Sequence, residues 1–208
     1  MTNHPLLNAG LGAAVALLLL AAPKAHSANL IFTANLSGAA ESPPVASTGT
    51  GSTTVTYDSL ARTLRVQVDF TDLVGNTTVA HIHAPTSVAG AGNVGVAVTP
   101  VTLPGFPVGV TAGSYNFTLD LTAGEVYTAT FLGLYGGTAA GAEAGLVAAM
   151  SEGKAYLNVH TSFAPSGEIR GFLAQNVPEP GMGLASALAF LGLAGLPGLK
   201  ALRRRTDA

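Results

Sequence analysis

The sequence predicts an all-β fold, an antiparallel β-sandwich or barrel with one short helix, flanked by an N-terminal signal peptide and a C-terminal transmembrane helix. Three observations carry this. Apolar and polar residues alternate with period two in segment after segment from Asn29 to Gln175, the mark of half-buried strands. Only one segment of that stretch has apolar residues at helical spacing. The long unbroken apolar runs are confined to the two chain ends.

At the N-terminus, Leu11 to Ala22 is apolar throughout, with Leu17 to Leu20 at its centre. It is short for a bilayer span and placed where a signal-peptide h-region belongs. Ala25-His26-Ser27 then puts small residues at the −3 and −1 positions of a cut between Ser27 and Ala28. The chain divides accordingly into a signal peptide (1–27), a β domain (28–176) and a tail (177–208).

Within the domain the clearest strand is Leu64, Val66, Val68 and Phe70 alternating with Arg65, Gln67 and Asp69. Val68 is therefore a core position, with Gln67 and Asp69 turned outward. Leu30–Leu36, Thr53–Tyr57, Thr78–Ala84, Tyr115–Leu121, Lys154–Thr161 and Glu168–Ala174 follow the same rule. Leu146, Val147 and Met150 predict the single helix over Ala142–Ser151, stopped by Gly153. Pro85 to Gly113, with Pro100, Pro104 and Pro107, reads as a long excursion over one end of the fold. Its Gly90-x-Gly92-x-x-Gly95 imitates a dinucleotide fingerprint, but it opens no helix and no βαβ unit surrounds it.

Composition excludes several chemistries. There is no cysteine, so the domain folds without disulfides and offers no thiolate to a metal. Between residues 28 and 177 four bases face nine acids, a net charge of −5, which argues against a nucleic-acid partner. No G-x-S-x-G elbow is present, and no hydroxyl comes with a base placed beside it.

At the C-terminus, Gly181 to Leu199 is free of charge and is followed by Lys200, Arg203, Arg204 and Arg205. Such a run spans roughly 28 Å as a helix, close to the hydrocarbon thickness, and its basic end stays in the cytoplasm. Val177-Pro178-Glu179-Pro180 precedes it as an extended, accessible linker. Linker, spanning helix and terminal arginines in that order resemble the PEP-CTERM sorting signal. The resemblance implies an exosortase-type sorting enzyme as partner, an inner-membrane intermediate, and display at the cell surface or release.

Three further segments carry a second resemblance. They are Phe32-Thr33-Ala34-Asn35-Leu36-Ser37-Gly38 with Glu41 and Pro43-Pro44, then Ala80-His81-Ile82-His83, then Tyr156-Leu157-Asn158-Val159-His160-Thr161 with Gly167-Glu168-Ile169-Arg170-Gly171. Together they resemble the CHRD domain, first named from chordin, over about Ile31 to Leu173. The resemblance implies an all-β extracellular module.

All three histidines outside the signal peptide fall in those segments. Strand alternation turns His81 and His83 to one face, opposite Ile82. It likewise groups Tyr156, Asn158 and His160, opposite Leu157 and Val159. If the strands are neighbours, three imidazoles project together with Glu168 at their edge, a set suited to Cu or Zn. The alternative is that the histidines brace the sheet through backbone carbonyls and Asn158 or Glu168, while Glu168 and Arg170 form a cross-strand ion pair. Two functions follow. One is a non-enzymatic surface or matrix module that binds an envelope polymer or protein; the other is a metal-binding protein, with copper handling or redox chemistry as its scope.

Overall fold

The computed structural model describes residues 29–176. The cleavage site at Ser27–Ala28, the Val177–Pro180 linker and Arg203–Arg205 lie outside the described residues. Among those described, no helix is long and apolar enough to cross a membrane.

The strands are β1 (Leu30–Ser37), β2 (Thr50–Asp58), β3 (Thr63–Thr71), β4 (Thr77–His83), β5 (Val96–Val98), β6 (Gly113–Asp120), β7 (Tyr156–Thr161), β8 (Ile169–Phe172) and β9 (Ala174–Gln175). Two α-helices, α1 (Ala129–Leu134) and α2 (Ala139–Ser151), stand between β6 and β7. All pairings are antiparallel, in the order β5-β4-β7-β8-β1-β2-β3-β6, with β9 also on β1.

Of the two expected forms, sandwich or barrel, the strands take the barrel-like one: a single curled, half-barrel antiparallel sheet. The cause lies in β1, which pairs with β2 along its whole length and with β8 and β9 on its other edge. The two halves are thereby hydrogen-bonded to each other instead of stacked. The helices supply the packing that a second sheet would have given. Phe131 of α1 and Ala142, Leu146 and Met150 of α2 join Phe32, Val66, Ile82 and Leu157 in one core. Each large side chain buried there contributes about 1.5–3 kcal/mol.

Alternation in β3 is as read: Leu64, Val66, Val68 and Phe70 are buried, while Arg65 and Asp69 are exposed and Gln67 is half-buried. The helix starts at Ala139, three residues before the expected Ala142, because Thr138 caps it by accepting a bond from the Gly141 amide. The short α1 was not expected. It rests on a single Thr128 cap and is too brief for periodicity to register. The excursion from Pro85 contains β5, whose Val-Ala-Val is likewise too short to show alternation, and which pairs with β4 at Ile82 and His83.

The strands that carry the site are β4, β7 and β8. Their register sets Ala80 opposite Val159 and Val159 opposite Ile169 on the core face. On the other face, His83, Tyr156 and Phe172 form one row, and His81, Asn158 and Arg170 the next. This second face is covered too. Tyr156, Asn158 and Arg170 are each 3% exposed, beneath the loop after β1 and the excursion from Pro85.

Candidate metal centre

His81 and His83 are two residues apart on β4, and β7 brings His160 opposite Val79, one step further along. Ring centroids are 5.8 Å apart for His81 and His83, 5.2 Å for His81 and His160, and 6.1 Å for His83 and His160. One ring nitrogen from each lies within 4.8 Å of the other two.

Each ring is held from behind by a main-chain carbonyl. His81 Nε2 donates to Val101 O, His83 Nδ1 to Val94 O and His160 Nδ1 to Pro165 O, all at 2.9 Å. A carbonyl only accepts, so these bonds place the proton on the named nitrogen and leave the other as a lone-pair donor. His81 Nδ1 and His160 Nε2 then face each other at 3.4 Å with no proton to share. His83 Nε2 is buried without a hydrogen-bond partner. Two ligand nitrogens on a tetrahedral zinc, each about 2.0–2.1 Å from the metal, are themselves about 3.4 Å apart. Burial lowers the pKa of all three histidines, that of His83 to about 4, so the neutral ligand form prevails at neutral pH. The bracing role and the ligand role are thus complementary: the carbonyl bonds orient each ring, as outer-shell partners do in metal sites.

Glu168 is not at the edge of this group. It precedes β8, and its fully buried carboxylate accepts from Thr161 Oγ1 at 2.5 Å, Ser47 Oγ at 2.6 Å, and the Val74 and Gly75 amides at 2.6 and 3.1 Å. Burial would raise its pKa, but these four bonds hold it below the ordinary value. The expected Glu168–Arg170 pair is corrected as well. Arg170 lies beside Glu41, with Nε 3.7 Å from Oε2. It donates to Ala40 O at 2.5 Å, Gly92 O at 3.1 Å and Asn93 Oδ1 at 2.6 Å, and stacks over the Tyr156 ring at 4.8 Å.

One residue with a buried polar role was not expected at the site. Glu41, 7% exposed, accepts from Asn158 Nδ2 at 3.0 and 3.3 Å. Its burial, opposed by Arg170, raises its pKa to about 7. Tyr156 stacks parallel on His83, with centroids 4.7 Å apart. Asn158 and Tyr156 were placed on the polar face by alternation, but the approach of Glu41 spans 117 residues and leaves no local signal.

Residues 32–173 match the model of the CHRD domain. The chain belongs to the CHRD domain family. CHRD domains are a family of non-enzymatic, extracellular-type modules. No curated protein and no solved structure matches the chain. The three histidines and the Glu41, Asn158 and Arg170 group all fall within the matched CHRD segment.

Proposed function

We propose that this protein is an exported envelope module whose CHRD domain binds one Cu(II) or Zn(II) ion between His81, His83 and His160. The observation that carries the reading is the convergence of three free imidazole nitrogens, each set by a carbonyl on the far side of its ring. An all-imidazole set suits these two ions, and the single unpartnered nitrogen of His83 gains a bond on metal binding. Elemental analysis of the full-length protein after loading and exhaustive dialysis tests it. One equivalent in wild type, lost in both His81→Ala and His160→Ala, supports the reading. No metal above the buffer level in wild type contradicts it.

Export and display complete the proposal. It takes the mature chain to begin at Ala28. Val177–Pro180, the span over 181–199 and Arg203–Arg205 then act as a sorting tail for an exosortase-type enzyme, placing the domain on the cell surface, where it meets an envelope polymer or protein. The support is the order of these features in the sequence. Cell fractionation after deletion of residues 177–208 is the check: retention of the domain at the surface at wild-type level contradicts the sorting role.

A further inference from the structure

On the same buried face lies a cavity of about 250 Å³, bordered by His83 and Tyr156. Its floor is made by Glu41, Asn158 and Gly167. Asn158 Nδ2 is committed to both Glu41 oxygens, so the amide's remaining atom is its oxygen, and Asn158 Oδ1 is buried without a partner. Gly167 keeps these acceptors open. A Cβ there would fall 2.7 Å from Glu41 Oε1 and 2.8 Å from Asn158 Oδ1, and its φ of +130° disfavours any other residue. The walls are apolar, from Pro43, Val45 and Val94, and the exposed rim is polar, from Ser42, Asn93 and Ser166.

We infer that this cavity is a binding site for one neutral sugar unit, gripped through adjacent hydroxyls by Glu41 and Asn158. The floor offers acceptors, so the ligand must bring donors. Arg170 lies 3.7 Å from Glu41 and offsets its charge, so an ammonium group gains little net attraction, while an anion at the floor would face the oxygens of Glu41 and Asn158. Vicinal hydroxyls on a ring with carbon faces fit both the paired acceptors and the apolar walls. The volume is below the roughly 300–1,000 Å³ of pockets for drug-sized ligands, which sets the limit at a single ring. The polar rim suits the continuation of a glycan outside the mouth. A bound metal is not required, although His83 borders both sites.

The test is a titration of the full-length, ¹⁵N-labelled protein, metal-free and metal-loaded, followed by NMR at the Asn158 side-chain amide and the Gly167 backbone amide. Probes are the methyl glycosides of glucose, galactose and mannose, short oligosaccharides ending in each, ethanolamine and inorganic phosphate. The expected result is saturable shifts at both amides with at least one neutral sugar, in both metal states. Binding should weaken at least tenfold in Glu41→Gln and in Ser166→Trp, which blocks the mouth from an exposed position. A free glycoside that binds as well as the matching oligosaccharide identifies the ring alone as the ligand; tighter binding of the oligosaccharide adds the rim. Shifts with ethanolamine or phosphate only, no shift with any sugar, or sugar binding untouched by Ser166→Trp would each overturn the inference. Loss of metal binding with sugar binding retained overturns the metal reading alone.

Discussion

Two buried carboxylates close to the same strands lead opposite lives. Glu168 and Glu41 are 0% and 7% exposed, so burial alone does not distinguish them. Glu168 has four donors aimed at it, two of them main-chain amides, and its pKa is held low. Glu41 has one amide group and a guanidinium at 3.7 Å, and its pKa is raised to about 7. The first is a satisfied node that ties the loops before β2 and β4 to β7. The second belongs to a face where satisfaction is incomplete: His83 Nε2 and Asn158 Oδ1, both in its neighbourhood, have no partners. Unmet buried polar atoms cost stability; two of the three among the described residues lie on this face, the third being the Tyr115 hydroxyl.

The comparison breaks most visibly at Glu168. Glu168→Ala leaves the Val74 and Gly75 amides and two hydroxyls without an acceptor, and each buried orphan costs about 1–3 kcal/mol. The expected loss is at least about 3 kcal/mol, read as a lower denaturant midpoint with unchanged slope. A variant that unfolds like wild type would show that the four bonds are not a structural node. Val68→Asp, which buries an unpaired charge in β3, belongs to the same severe class of several kcal/mol. Wild-type melting of that variant would contradict the β3 register.

How far the sequence reached follows the range of the interactions involved. Alternation settled which face of β4 and β7 carries His81, His83, Asn158 and His160, because the side-chain period of a strand is local. It did not reveal that β1 would pair on both edges, since Ser37 and Arg170 meet across more than 130 residues of chain. The misplacement of Glu168 has the same root. Alternation was begun at Glu168, but β8 begins at Ile169; beside Gly167, with its φ of +130°, Glu168 lies before the strand and turns to Ser47 and Thr161 instead.

A smaller effect, about 3 kcal/mol at most, separates Glu41 from His83 by pH. The folded pKa of Glu41 is raised, so its contribution to stability is full below about 4.5 and is lost as pH rises through about 7. That of His83 is depressed, so its contribution is present above 6.5 and is lost as pH falls toward about 4. In the metal-free wild type the two slopes oppose each other. Glu41→Gln removes one of them, and its stability should fall more steeply than wild type between pH 6.5 and 4.5. Equal slopes in chemical denaturation at a series of pH values would mean that Glu41 is not perturbed. The variant itself should differ from wild type by less than about 1 kcal/mol at pH 4.5, where Glu41 already holds its proton.

The most direct measurement of the central claim is X-ray absorption at the metal edge of the full-length protein loaded with one equivalent of Zn(II). The account predicts three imidazole nitrogens at about 2.0–2.1 Å, falling to two in His83→Ala. A first shell of oxygens alone, or one unchanged in His83→Ala, would contradict it.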